Sequence, residues 1–200
     1  MSATLLTPPD LLDDVLGVSE GDAIDAVRRS RPAARENTQA TLTALFALED
    51  GADGADVPTL AERLAVATFV VGLHGESPLL AVYAADLDPE VRDVVTGLVA
   101  QAVRPGPFGV YREPGLAEES VEGPRWAAPT DALGPRLAAA LTHAALLVQR
   151  PRESSPQALA ALLAAGWSRT EIVTLSQLVA FLTYQVRVVA GLAVLKESRS

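Results

Sequence analysis

Residues 62–83 read ERLAVATFVVGLHGESPLLAVY, and this stretch decides the fold. Thr59 and Glu62 stand ahead of the apolar run at the spacing of a capping box, which begins a helix. The helix is predicted to end at His74, because Gly75 follows it. Glu62 and His74 are the two polar residues to explain. They are either an acid–base pair or two residues with ordinary structural roles.

Helix signals of the same kind run through the rest of the chain. Caps, or prolines in the first helical turn, predict helices at 78–87, 89–103, 135–149, 156–165 and 169–195. Shorter amphipathic segments precede them at 11–16, 20–30 and 33–49. Alternating strand patterns are essentially absent, so the sequence predicts an all-α fold.

We expect one domain over residues 1–200, with core helices in 55–103 and C-terminal helices in 131–197. Residues 51–58, GADGADVP, predict a flexible connector. Residues 104–130 hold five Pro and four Gly, a density that predicts a long loop without a helix. In this loop Phe108, Tyr111 and Trp126 either anchor it on the body or close a pocket or subunit contact.

Composition excludes several classes of function. The 200-residue chain is 49% hydrophobic with a net charge of −9, so we expect no binding to nucleic acid or anionic membranes. It has no cysteine, which excludes disulfides, thiolate metal sites and thiol redox chemistry in this chain alone. Its two histidines stand far apart in sequence, so we expect neither a metal nor a cofactor. A secretory signal is not visible at the N-terminus, and we expect a cytoplasmic protein.

Two parts of the chain, roughly 55–88 and 137–195, resemble the carboxymuconolactone decarboxylase and alkylhydroperoxidase-like superfamily. The first part contains TLAERLAVATFVVGLHG and PLLAVYAADL. The second runs from ALTHAALL through GWSRTEI to the segment QLVAFLTYQVR, as in peroxidase-related members. The resemblance implies an alkylhydroperoxidase-like helical fold. Glu62 and Glu171 are the acids of two capping boxes, and superposing one on the other aligns several apolar positions. This leaves open whether the chain contains a duplicated helical unit.

The thiol centre of the peroxidase branch is missing from this chain. That motif is a Glu, then Cys-x-x-Cys, then His, and counting from Glu62 places its last three members at His74, Ser77 and Ala81. A thiol peroxidase needs one thiolate to attack the peroxide and a second thiol to resolve the product. The resemblance therefore does not bring peroxidase activity to this chain.

Each polar residue near the apolar helices has a structural and a functional interpretation. Glu62 either completes its capping box or acts as a general base. His74 either caps the helix end or lines a pocket. His143, in ALTHAALL, is either a core or interface histidine or a pocket residue. Ser77 and Tyr83 are further pocket-lining candidates, and Arg187 is expected to pair with Glu62 or Glu171.

Two functions of different classes remain open. The first is a binding or partner protein without thiol chemistry, which pairs with a cysteine-bearing peroxidase-like relative or holds a small apolar ligand between helices. The second is a non-thiol enzyme of decarboxylase or lactone type that uses Glu62 and His74 as acid and base. In either case we expect a homo-oligomer, with the helix at 60–73 and the final helix supplying much of the contact, since the final helix is apolar around nearly its whole circumference.

Overall fold

The computed structural model describes residues 4–47 and 56–198, and in these residues the fold is all-α, as predicted. The helices are α1 (Leu11–Leu16), α2 (Ala23–Arg29), α3 (Pro32–Phe46), α4 (Leu60–Leu73), α5 (Leu79–Ala84), α6 (Pro89–Ala102), α7 (Thr130–Gln149), α8 (Pro156–Ala164) and α9 (Arg169–Glu197). Most of the expected connector, residues 51–55, lies outside the described residues.

Helix α4 is the centre of the core. It packs against α5, α6, α7 and α9, and every residue from Arg63 to Leu73 is buried. Helix α4 has no polar face, and this explains its central position. Such a helix is stable only when other elements cover it on all sides. At Gly72 the close approach is visible directly, since a Cβ there would lie 2.7 Å from both methyl groups of Val99. The expectation that α4 contributes to a subunit contact is therefore wrong for its buried length.

Helices α4 and α9 lie side by side and run in the same direction. Their capping-box acids, Glu62 and Glu171, both bind the guanidinium of Arg136. Twelve residues further along each helix, His74 Nε2 lies 3.1 Å from Thr183 Oγ1. Contacts between residues 109 positions apart thus join the first half of α9 to both ends of α4. This is the register that the superposition of the two capping boxes indicates.

An ion network holds the N-terminal helices together. The Asp10 carboxylate caps α1 through the backbone N–H groups of residues 12 and 13 and accepts from Arg28 Nη2 at 2.6 Å. Arg35 lies between Asp10, Asp13 and Asp25. Burial is the main reason that the pKa of Asp13 is raised above its ordinary value, with the Arg28 charge opposing that rise. These side chains mostly satisfy one another, which is the behaviour of a structural network.

The segment between α6 and α7 is irregular but anchored at several points. Phe108 N donates to Gln149 O at 2.6 Å, and Gly109 forms an isolated antiparallel bridge with Val121. Trp126 stacks on Phe69 of α4, with the ring centroids 5.0 Å apart. The expectation that no helix forms here is wrong in one place, because residues Pro114–Glu119 make a 3-10 helix. A tight helix of this length tolerates Pro at its start, where no N–H is needed.

Helix α9 has one buried and one exposed side. It is the one helix of the described residues with the length and apolar composition to cross a membrane. Its buried side packs on α4 and α7 and includes Val189, which is 2% exposed. Its exposed side includes Val173, Tyr184 and Val194, which are 56%, 44% and 67% exposed.

Candidate functional site

Glu62 is held in an ion cluster at the start of α4. Its carboxylate closes the capping box by accepting from Thr59 N at 2.9 Å, and it accepts from Arg136 Nε at 2.6 Å. The same guanidinium donates to Glu171, the capping-box acid of α9, which is 7% exposed. Arg136 therefore binds both acids, and the expectation that Arg187 would pair with one of them is wrong. Arg187 is exposed.

Further contacts fix the position of Arg136. Its Nη1 donates to Gly166 O at 2.6 Å, and its guanidinium carbon lies 4.3 Å from the ring centroid of Trp167. Trp167 Nε1 in turn donates to Arg136 O at 2.9 Å. Burial alone would raise the pKa of Glu171, but hydrogen bonds from Arg136 and Ser168 outweigh it and lower that pKa below its ordinary value. A carboxylate stabilised in its charged form in this way is a poor proton acceptor near neutral pH.

His74 lies at the other end of α4, where it is the C-terminal cap residue. Its ring is half-buried and its Nε2 contacts Thr183 Oγ1. Burial, and then the positive charge of Arg187, lower the pKa of His74 below its ordinary value of 6.5. The imidazole is consequently neutral at pH 7 and bound to a hydroxyl on the neighbouring helix.

The structure does not bring Glu62 and His74 together. They stand at opposite ends of α4, twelve residues apart, which corresponds to about 18 Å along a helix axis. Each is bound to a different partner, Arg136 for Glu62 and Thr183 for His74. Direct proton transfer between the two, or to one small reacting group held by both, requires heavy-atom distances of about 3 Å. The arrangement within one chain does not meet that condition.

Ser77 and Tyr83 have local structural partners. Ser77 Oγ accepts from Leu79 N at 3.4 Å at the start of α5. Tyr83 is fully buried, and its hydroxyl donates to Gln185 Oε1 of α9 at 2.5 Å. Its ring lies 5.4 Å from that of Phe46. Burial raises the pKa of Tyr83 well above its ordinary value, so the phenol stays protonated and serves as a hydrogen-bond donor.

A cavity of about 290 Å³ lies between α7 and α8. Its wall is mostly apolar, with Ala138, Ala139 and Leu146 from α7 and Ala158, Ala161 and Leu162 from α8. The small side chains of these alanines leave the space open between the larger Leu146 and Leu162. The volume is at the lower end of the range of ligand pockets.

His143 is the polar side chain of this cavity with an unsatisfied atom. It is 6% exposed, and among the described residues its buried Nδ1 has no hydrogen-bond partner. Thr142, which also lines the cavity, is satisfied because its Oγ1 donates to Ala138 O at 2.8 Å and accepts from Ala128 N at 3.0 Å. Burial lowers the pKa of His143 below its ordinary value of 6.5, so the ring is neutral at pH 7. A neutral imidazole offers one donor and one acceptor nitrogen to a bound molecule.

A larger groove of about 1200 Å³ runs along α1 and α3, and several of its charged groups are already paired. Asp10, Asp13 and Arg35 line it and bind one another. The cavity at His143 differs from it, since it combines an apolar wall with an unsatisfied polar atom. That combination is typical of a small-molecule site.

Comparison of the chain with models of protein families, with curated proteins and with solved structures finds no match. The comparisons therefore add no relative from which a site or a function could be transferred.

Sequence reasoning missed two features of the site. Arg136 gave no local signal, because its partners Glu62 and Glu171 lie 74 and 35 residues away along the chain. The cavity was missed because alanines that line a space and alanines that pack tightly look the same in a sequence. The position of His143 among Ala and Leu on a helix was the available signal for a buried imidazole.

Proposed function

We propose that this protein is a non-catalytic binding protein that holds a small, mostly apolar molecule between α7 and α8. The observation that carries the proposal is His143, which lines an apolar cavity and whose buried Nδ1 has no partner among the described residues. A buried polar atom without a hydrogen bond costs about 1–3 kcal/mol. A ligand that offers one hydrogen-bonding group to this ring would recover that cost while its apolar body fills the space.

The positions of Glu62 and His74 support a binding role over acid–base catalysis. Glu62 is committed to Arg136 and the α4 cap, and His74 to Thr183. The resemblance to the alkylhydroperoxidase-like superfamily supports the same choice, since the thiol positions of that family hold His74 and Ser77 in this chain. We propose on this basis a helical protein of that type whose thiol chemistry has been lost.

We also propose that the protein is a homo-oligomer in which α9 supplies the contact. The exposed residues of α9 recur at alternating spacings of four and three, which places them in one stripe along the helix: Val173, Gln177, Ala180, Tyr184, Arg187, Gly191 and Val194. The stripe has a valine at each end and Ala180, Tyr184 and Gly191 between them, with Gln177 and Arg187 as its polar members. A second copy of α9 is the occupant that we propose for it.

A calorimetric titration of the purified protein with octan-1-ol tests the ligand proposal. We expect saturable binding at one site. Ala161→Phe should abolish it, because Ala161 lines the cavity and a phenyl ring would occupy the space. Ala160→Phe is the matched control, since Ala160 lies on the same helix, is exposed and does not line the cavity.

The His143 contribution is measured in the same titration. His143→Leu should weaken octan-1-ol binding about fivefold to tenfold, the effect of one hydrogen bond. Absence of binding to the unmodified protein, or equal binding by the Ala161→Phe and Ala160→Phe proteins, would refute the proposed function.

A further inference from the structure

We propose that the ligand of this cavity is a small amphiphilic carboxylate, whose anionic head binds a pocket of three arginines next to the cavity. This inference rests on the proposed function and specifies the ligand's chemical class. The second pocket has a volume of about 560 Å³, and Arg112, Arg125 and Arg152 line it. In a chain of net charge −9, three guanidiniums around one pocket are a local reversal of charge.

The charges that face the pocket leave it positive. Glu153 is the acidic residue among its lining side chains. Its carboxylate is bound by Arg125 Nη2 at 3.1 Å and by Arg150, which lies behind the pocket wall. Glu153 is therefore neutralised by two arginines, and the charges of Arg112 and Arg152 remain for an anion.

Both of these arginines are positioned and keep free donors. Arg152 lies over the ring of Tyr111, with its guanidinium carbon 3.9 Å from the centroid. Arg112 Nη2 donates to Ser154 O at 3.3 Å, and Arg152 Nη1 contacts Gly109 O at 3.5 Å. A guanidinium has five N–H donors. One weak backbone contact each leaves most of these donors available for a planar carboxylate.

The start of α8 adds to the positive potential. Ser155, the N-cap residue of α8, and Ala158, in its first turn, both line the arginine pocket. The N-terminal end of a helix carries a partial positive charge that favours anions. This is a minor contribution beside the arginines, but it has the same sign.

The arginine pocket and the apolar cavity adjoin each other. Leu146 of α7 and Ala158 of α8 line both of them. His143 lies one helical turn before Leu146 on the cavity side. A molecule that enters between the two shared residues would place its head among the arginines and its apolar chain along His143. This continuity selects an amphiphile over a purely apolar ligand or an inorganic anion.

Calorimetric titrations with octanoate, octan-1-ol and acetate test the inference on the full-length protein. We expect octanoate to bind at least tenfold more tightly than octan-1-ol, because it gains charge-assisted hydrogen bonds, and acetate to bind weakly because it has no chain. The combined substitution Arg112→Gln and Arg152→Gln should remove the preference for octanoate and leave octan-1-ol binding unchanged. Arg152→Lys should keep part of the preference.

Arg169→Gln is the matched control, since Arg169 is exposed and lines neither pocket. It should leave all three titrations unchanged. If octan-1-ol binds and octanoate binds no better, the carboxylate inference is overturned while the proposed function stands. If octan-1-ol does not bind, the proposed function fails, and this inference fails with it. A preference for octanoate that survives the double substitution would also overturn the inference.

Discussion

Arg136 Nε donates to Glu62 Oε1 at 2.6 Å and so ties α7 to the first turn of α4. The other arm of the same guanidinium binds Glu171 at the first turn of α9. One arginine thereby joins the start of the three helices that form the centre of the core. Glu62, a candidate general base in the sequence, and Glu171 are the two acids that bind this arginine.

Replacing Arg136 by Met should destabilise the protein by about 3 kcal/mol, the cost of leaving the buried Glu171 and the half-buried Glu62 without their partner. The free energy of unfolding is measured by urea denaturation monitored by circular dichroism. Arg187→Met is the control, because Arg187 is exposed, and it should change stability by no more than about 0.5 kcal/mol. Equal effects of the two substitutions would contradict the assigned role of Arg136.

The caps and helices could be predicted from the sequence, because their chemistry is local. Thr59 with Glu62, and Ser168 with Glu171, form capping boxes in the structure as their three-residue spacing predicts. Asp10 likewise caps α1. In each case the bonding partners are within one helical turn, so the sequence alone contains the geometry.

The connections between helices could not be predicted in the same way. Sixteen basic residues are available in the chain, and nothing local distinguishes Arg136 from Arg187 as the partner of the two acids. The choice is made by the kinked start of α7, where Gly134 has φ 71° and the regular helix begins at Pro135. The cavity and the arginine pocket likewise depend on how α7, α8 and the loop before α7 come together.

Stability should fall as the pH is lowered from 7 to 5, because both histidines have lowered pKa values in the folded state. In that range the unfolded chain takes up protons near pH 6.5, whereas the half-buried His74 and the buried His143 take them up only at lower pH. Protonation therefore favours unfolding, by at most about 1.4 kcal/mol per histidine per pH unit. The contribution of Glu171 changes at lower pH. Because its pKa is lowered in the folded state, its charge stabilises the fold above pH 4.5, the ordinary pKa of a glutamate. This stabilisation is lost as the pH falls below 4.5.

The measurement is urea denaturation at several pH values between 5 and 8. The double variant His74→Asn, His143→Asn should show a flatter dependence on pH in this range than the unmodified protein. An unchanged slope in the variant would show that other groups cause the dependence. Below pH 4.5 the two proteins should again lose stability in parallel.

Limited proteolysis with a glutamate-specific protease should cleave after Glu118 or Glu119 before it cleaves after any other glutamate of the described residues. Residues 112–119 are all exposed, and the 3-10 helix there buries none of its residues. Glu62 and Glu171, in contrast, are held in helix caps and can be cleaved only after local unfolding. The packing of α7 and α9 on α4 should keep the nicked protein in one piece during size-exclusion chromatography. Early cleavage after Glu171 would contradict this order.

Two substitutions on α9 should distinguish residues that form a subunit contact from residues that belong to the core of one chain. Val194 is 67% exposed and belongs to the exposed stripe of α9, whereas Val189 is 2% exposed and packs inward. Val194→Asp should leave the helical content unchanged and shift the protein toward smaller species, because a charge placed in an apolar contact is left unpaired. Val189→Asp should instead reduce folding itself, since the charge would be buried within one chain.

Light scattering coupled to size-exclusion chromatography gives the mass of each species, and circular dichroism gives the helical content. A monodisperse monomer of the unmodified protein at micromolar concentration would rule out the oligomer. An oligomer whose mass Val194→Asp does not change would place the contact elsewhere than on the stripe. The exposed Val173, Tyr184 and Val194 argue for the expected shift, because apolar side chains exposed along one helix face promote association in water.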